Sequence, residues 1–124
     1  MLFRSSLVIE LELPYPPSVN HYWRRVGART LISRGGRLFR QQVVSILAAR
    51  GVRPLDGDLE VVVELYPPDR RRRDIDNSLK SLLDALGHGS AYHDDSQIIH
   101  LDTWKREPIP GGMVFVRISK CSEV

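Results

Sequence analysis

The segment Asp69–Asp84, of sequence DRRRRDIDNSLKSLLD, combines clustered cations with spaced carboxylates. Four consecutive arginines, Arg70–Arg73, come directly before Asp74 and Asp76. Arginine clusters bind the phosphates of a polyanion, and carboxylate oxygens are ligands that suit Mg²⁺ or Mn²⁺ better than zinc. Lys80, one helical turn further on, would donate to the scissile phosphate or hold the attacking water. The segment therefore predicts a metal-dependent enzyme that cuts a nucleic-acid backbone.

A second acidic pair, Asp94-Asp95, lies in the stretch YHDDSQI. The chain must return to the sheet before a strand that begins at Ile98, so we expect the loop holding this pair to lie beside the helix start at Asp74. Three carboxylates that pack together repel one another unless a cation neutralises them or a proton is taken up. A divalent metal shared by Asp74, Asp76 and this pair would meet that need.

Each of these residues also has a structural interpretation. Asp74 can cap a helix, its side chain accepting from the backbone N–H of Asp76 or Asn77. Lys80 can form an exposed ion pair with Asp76, four residues earlier. Asp84 can simply extend a solvated polar face. Adjacent acids such as Asp94-Asp95 are also common turn formers, and an arginine run can be a solvated basic loop.

Other parts of the sequence offer a second possible DNA contact and argue against other kinds of active site. The polar stretch Ser18–Arg25 reads as a loop that either covers one edge of the core or offers rings and arginines to a nucleic acid. The four histidines have spacings that match no usual zinc pattern, which argues against a zinc site. Neither a Gly-rich phosphate loop nor a G-x-S-x-G motif occurs in the sequence.

Length and composition set the frame for these residues. The 124 residues suit one domain, predicted over 1–124, and 42% hydrophobic content is enough for a core. The sequence pI near 9.4 fits an acidic partner such as DNA. A single cysteine fits a cytoplasmic location, and no apolar run is long enough to span a membrane. Glu10 and Glu12 lie where a signal peptide needs its apolar centre.

Hydrophobic periodicity predicts the elements that must position the site. Period-two alternation and turn residues predict strands over Leu7–Leu13, Arg29–Ile32, Leu59–Leu65, Ile98–Lys105 and Met113–Ser119. The first helix is predicted to follow a Ser33 cap and end near Gly51. The fold expected is a single α+β domain, with two helices packed on a mixed sheet of four to five strands.

The second predicted helix carries the acidic site. It is expected to begin at Asp74 and to stop at Gly87. Five apolar residues at helical spacing should bury against the sheet: Ile75, Leu79, Leu82, Leu83 and Leu86.

The stretches PYPPSVNHYW, PPDRRRRDIDNSLKSLLDAL and YHDDSQI together resemble the RusA family of Holliday-junction resolvases. The resemblance runs from the first predicted strand to the last. It implies a homodimeric, Mg²⁺-dependent endonuclease, in which Mn²⁺ can substitute. Such an enzyme would bind four-way DNA junctions and nick two opposed strands symmetrically, in recombination and repair, on DNA of the nucleoid.

The resemblance also assigns roles to residues of this sequence. It implies that Asp74, Asp76 and Asp95 are catalytic acids and metal ligands, and that Lys80 is the catalytic lysine. It further implies DNA contacts by Asn20, Arg70, Arg71, Arg72, Arg73 and, as a weaker match, Lys105. Two other classes of function stay open on the residues alone. One is a non-catalytic structure-specific DNA-binding protein, and the other is a metal-dependent nuclease acting on other branched DNA.

Overall fold

The computed structural model describes residues 8–121. Within these residues the chain forms six strands: β1 Val8–Leu13, β2 Trp23–Val26, β3 Arg29–Ile32, β4 Leu59–Tyr66, β5 Ile98–Lys105 and β6 Met113–Lys120. Three α-helices accompany them: α1 Val19–Tyr22, α2 Arg34–Ala49 and α3 Leu79–His88. The predicted α+β class with helices on a mixed sheet is confirmed. Leu7, the predicted start of the first strand, lies outside the described residues.

The main sheet has the strand order β1-β6-β4-β5, and β2 and β3 form a separate hairpin. β4 pairs antiparallel with β6 and parallel with β5. A parallel pair needs a crossover, and α3 supplies it. The buried side chains of β4 alternate with half-buried or exposed ones, as expected for a sheet with one covered face.

The core lies between the sheet and the two longer helices. α2 buries Phe39, Val43 and Leu47 at helical spacing, and α3 buries Leu82 and Leu86. Ser33 caps α2 as predicted, its Oγ accepting from the Gly36 N–H at 2.9 Å. α2 ends at Ala49, and Gly51 takes φ 66° just beyond it, near the end predicted from the sequence.

The start of α3 differs from the prediction. A 3₁₀ turn, Ile75–Ser78, comes first, and the α-helix begins only at Leu79. The Asp74 side chain makes no capping bond; its backbone carbonyl instead accepts from the Asn77 N–H at 3.2 Å. This hydrogen bond joins residues three apart, which makes the turn tighter than a turn of α-helix. Ile75, expected in the core, is 42% exposed because it lies in this turn before the buried face begins.

The end of α3 also differs. The helix continues past Gly87 to His88, and the left-handed position is taken by Ser90 at φ 67°. Gly89 packs tightly instead, because a Cβ there would meet Leu47 Cδ2 at 2.9 Å and would require that side chain to shift. The Ala91 N–H donates to the Leu86 carbonyl at 3.0 Å, as in a Schellman end.

The stretch Ser18–Arg25 is ordered structure and not the loop predicted. It forms α1 and then β2, which pairs with β3 across a two-residue turn. Gly27 takes φ 62° in that turn. A Gly-Ala pair between two short β-prone runs is a hairpin signal that the sequence did contain.

Candidate nucleic-acid interface and acidic site

The arginine run forms a loop at the C-terminal end of β4, and Asp69 organises it. The Asp69 carboxylate accepts from Arg73 Nη1 and from the Arg71 backbone N–H, at 2.8 and 2.9 Å. These two hydrogen bonds, the first from Arg73, hold the pKa of the Asp69 carboxyl below its usual value. A single carboxylate therefore fixes the loop internally before any ligand binds.

The four arginines consequently have different environments. The Arg73 side chain is only 22% exposed, and its guanidinium lies 5.9 Å from the centre of the Tyr15 ring. Arg70 and Arg72 are exposed and take part in no ion pair among residues 8–121. We infer that Arg73 holds the loop in shape, whereas Arg70 and Arg72 are available to phosphates.

Lys105 ends β5 beside the same loop. Its Nζ donates to the Arg73 carbonyl oxygen at 2.8 Å. That bond uses one of the three N–H donors of the Lys105 ammonium, so two donors remain for other partners. Lys105 thus joins the end of β5 to the residue that comes directly before Asp74.

Asp74, Asp76 and Lys80 follow along the 3₁₀ turn and the first turn of α3, and all three are exposed. The alternative ion pair between Asp76 and Lys80 is not formed, and neither acid pairs with a cation within the described chain. The two carboxylates therefore lie next to the arginine loop without being neutralised by it.

Asn20 is exposed on α1, and α1 contacts both the turn Ile75–Ser78 and α3. The Ser81 Oγ ties these segments together by donating to the Pro17 carbonyl at 2.6 Å. The predicted DNA-binding residues and the acids of the D-x-D motif are thus gathered at one end of the domain.

Asp95 does not join them within one chain. It begins a 3₁₀ turn, Asp95–Gln97, that leads into β5 and contacts α3. It lines a concavity of about 300 Å³ together with Asp84 and His88, near the end of α3. The expectation that the loop before β5 would lie beside the helix start is wrong. Because β4 and β5 are parallel, the start of β5 lies at the opposite end of the sheet from the end of β4.

The two members of the pair Asp94-Asp95 have separate roles. The Asp94 carboxylate accepts from the Ser96 N–H at 2.9 Å. Hydrogen bonding from the Ser96 side chain, and then from its backbone N–H, lowers the pKa of Asp94. Gln97 completes a capping box, accepting from the backbone N–H of Asp94 and donating to the carbonyls of Leu55 and Gly57. This D-x-x-Q pattern was readable in the sequence.

Asp84 has a structural role that the sequence did not predict. Its carboxylate accepts from the Tyr22 hydroxyl and from Arg40 Nη2, the latter at 2.9 Å. Burial, and then the hydrogen bond to Asp84, raise the pKa of Tyr22 to about 12. The interpretation of Asp84 as part of a solvated face is therefore wrong, because α1, α2 and α3 meet at this carboxylate.

The metal expectation fits the donor chemistry but not the arrangement in a single chain. Asp74, Asp76 and Asp95 offer the oxygen ligands that Mg²⁺ prefers. Across residues 8–121, however, no three His, Cys, Asp or Glu side chains are grouped closely enough to hold a metal ion. Within the described residues, the candidate ligands therefore lie at two places: Asp74 and Asp76 at the turn before α3, and Asp95 in the turn before β5.

Fold and site together define an α+β domain that presents cations beside exposed carboxylates at one end, as suits a protein that acts on a polyanion. The family model of endodeoxyribonuclease RusA matches residues 14–119. The chain belongs to the RusA family.

Similar proteins have the same family name. The crossover junction endodeoxyribonuclease of Enterobacteria phage HK97 is 39% identical, over 90% of this chain and 94% of its own. That of Enterobacteria phage 82 is 34% identical and that of Escherichia coli K12 is 33% identical, each over 89% of this chain and 92% of its own.

No helix among the described residues has both the length and the apolar character needed to cross a membrane.

Proposed function

We propose that this protein is a structure-specific endodeoxyribonuclease that cleaves four-way DNA junctions, by paired and symmetric hydrolysis of two opposed strands. The observation that carries the proposal is the match to RusA over residues 14–119, with relatives named crossover junction endodeoxyribonucleases. A homodimer suits this reaction, because a two-fold symmetric junction offers two equivalent strands. Such a substrate implies a cytoplasmic site of action, on junctions formed in recombination and repair.

The basic loop would bind the DNA backbone. Arg70 and Arg72 are exposed beside the acids, and Arg71 and Arg73 are tied to Asp69. Asn20 and Lys105 lie at the same end and would add contacts to phosphate or sugar. These contacts would orient one strand across the turn that carries Asp74 and Asp76.

The acids and Lys80 would carry the chemistry. We propose that the enzyme depends on Mg²⁺, with Mn²⁺ able to substitute, and that Asp74, Asp76 and Asp95 are the ligands. When bound, such an ion would stabilise charge on the phosphate oxygens and activate water. Lys80 would donate to the scissile phosphate or hold the attacking water. In a protein that only binds DNA, exposed acids beside the backbone would weaken phosphate binding, so their position favours an enzyme.

The test uses Asp76→Asn, with Asp58→Asn as a matched exposed acid at the start of β4. Asp76→Asn should abolish cleavage of a four-way junction while binding stays equal or becomes tighter, because a negative charge near phosphate is removed. Asp58→Asn should cleave as the parent does. Cleavage by Asp76→Asn at the parental rate would remove Asp76 from the mechanism.

Substrate and metal are tested in the same assay. Four-way junction, fork, duplex and single strand are offered in parallel with Mg²⁺, then with chelator, then with Mn²⁺ added back. We expect preference for the four-way junction, loss of cleavage but not of binding with chelator, and recovery with Mn²⁺. Preference for another substrate would support a different branched-DNA nuclease, and binding without cleavage under every condition would support a pure binder.

A further inference from the structure

A groove of about 410 Å³ lies between β1 and the segment that follows α2. Three apolar side chains that line it, Ile9, Val52 and Leu55, also pack into or against the core. Arg50 and Arg53 line it as well, and both are exposed. The groove therefore combines an apolar floor with a cationic rim.

The two arginines of this rim have no acidic partner of their own. Neither Arg50 nor Arg53 takes part in an ion pair among residues 8–121. Glu10 is the only acid among the described residues that line the groove, and its carboxylate lies 3.7 Å from Arg117 Nε instead. Two exposed guanidiniums beside an apolar floor favour a ligand that carries both a carboxylate and an apolar group.

The β1 backbone forms one wall of the groove, and it is an open sheet edge. β1 pairs with β6 on one side, and its other side has no strand partner in the described part of the chain. Arg50 Nη2 donates to the Glu10 carbonyl oxygen at 3.1 Å, so this carbonyl faces outward. The N–H and carbonyl of one residue in an antiparallel pair point to the same side, so the Glu10 N–H faces outward too.

We propose that the groove binds an extended acidic segment of a partner protein, which adds to β1 as a further strand. An N–H of the segment would replace Arg50 on the Glu10 carbonyl, so no backbone acceptor is left without a donor. The released guanidinium of Arg50, together with that of Arg53, would pair with carboxylates of the segment. An apolar side chain of the segment would fill the floor of the groove.

A protein segment fits this groove better than a second stretch of DNA, because a phosphate backbone has no apolar group for the floor. The position of the groove agrees with this choice. Val8 pairs with Ser119, and Ser119 pairs with Glu60, so the groove lies level with the start of β4. The arginine loop follows the other end of β4, about 23 Å away at roughly 3.3 Å per residue. A partner protein and a DNA junction would thus bind at opposite ends of the domain.

The ligand class is tested with a displayed library of fully randomised octapeptides, selected on the immobilised full-length protein. We expect the enriched peptides to carry aspartate or glutamate next to aliphatic or aromatic residues. A fluorescent copy of the most enriched peptide then gives a dissociation constant by anisotropy. No enrichment over the bare support, or enrichment of basic peptides, would overturn the proposal.

The cationic rim is tested with Arg53→Glu, because the Arg53 side chain makes no hydrogen bond within residues 8–121 and its loss should not disturb the fold. The matched control is Arg24→Glu, another exposed arginine, on β2. The dissociation constant of the labelled peptide should rise by roughly 10- to 100-fold for Arg53→Glu, as for a lost charge-assisted hydrogen bond. Arg24→Glu should bind as the parent does. Equal affinity of Arg53→Glu and the parent would overturn the role of the rim.

Strand addition is tested by comparing Glu10→Pro with Glu10→Ala. Both remove the same carboxylate, but only proline removes the outward N–H, a position at which an edge strand tolerates it. Glu10→Pro should bind the peptide roughly 10-fold more weakly than Glu10→Ala. Both variants should cut junctions at the parental rate, which checks that the fold is intact. Equal peptide affinity of the two would overturn strand addition.

Two further measurements separate this groove from other occupants. A saturating four-way junction should leave peptide binding unchanged, whereas displacement of the peptide by DNA would assign the arginines to nucleic acid and overturn the proposal. Peptide binding only after removal of residues 1–7 would assign the groove to this chain itself and also overturn it. Peptide binding requires no cleavage, so a parent that binds the peptide but cannot cut junctions would overturn the proposed function alone.

Discussion

At the scale of single residues, aspartates of similar sequence context have different roles. Asp69 and Asp94 hold their own loops through hydrogen bonds, and Asp84 joins three helices through Tyr22 and Arg40. Asp74 and Asp76 stay exposed. The difference comes from whether a donor from the same or a neighbouring segment reaches the carboxylate.

Ser90 gives a prediction at this scale. Its φ of 67° costs a non-glycine residue roughly 1–2 kcal/mol. Glycine would remove this cost, but part of the gain is offset because glycine raises the backbone entropy of the unfolded chain. We expect Ser90→Gly to raise the free energy of unfolding by about 0.5–1 kcal/mol in urea. Ser45→Gly, within α2, should lower it by a similar amount. A destabilised Ser90→Gly would show that the Ser90 conformation is not strained.

At the scale of elements, the parallel β4-α3-β5 unit decides where the acids lie. The loop after β4 and the loop before β5 must be at opposite ends of the sheet, whatever their sequences. The short helix α1 then contacts both α2 and α3, and the β2–β3 hairpin follows it along the chain. At Gly36, α2 passes close to the Tyr22 carbonyl oxygen of α1.

Gly36→Ala tests that crossing. The new Cβ would meet the Tyr22 carbonyl oxygen at 2.4 Å and Ile32 Cγ1 at 2.9 Å, so backbone must shift. We expect the free energy of unfolding to fall by about 2–3 kcal/mol, measured in urea. Gly35→Ala is the control, since its nearest atom would be Ser33 Oγ at 3.9 Å, and helix propensity should make it stabilising by about 0.5–1 kcal/mol. Equal effects of the two would refute the close crossing.

At the scale of the whole molecule, the distribution of charge is more informative than the net charge of +3. The arginine loop, Lys105 and Lys80 lie at the end of the domain that also holds the D-x-D acids. A polyanion bound there would release counterions from its phosphates, which makes affinity depend on salt.

Replacing Arg70 and Arg72 by alanine tests this surface. Each phosphate contact contributes about 0.9 to the slope of log affinity against log salt, so the double variant should lower the slope by about 1.8. Arg53→Ala with Lys120→Ala removes the same charge near the start of β4 and should leave the slope almost unchanged. The measurement is junction binding at several salt concentrations. An unchanged slope for the arginine variant would mean that the loop does not contact phosphates.

The fold class, most strands, both longer helices and the family could be predicted from the sequence, because periodicity, caps and a long motif are local signals. The predicted stop of α3 at Gly87 was wrong: the helix continues to His88, Gly89 packs against Leu47, and Ser90 takes the positive φ. Three findings required the tertiary structure: Arg73 contacts Tyr15, Asp84 joins Tyr22 and Arg40, and Asp95 lies far from Asp74 in one chain. Each depends on contacts between residues far apart in the chain, and the position of Asp95 follows from the parallel pairing of β4 with β5, which no local pattern encodes.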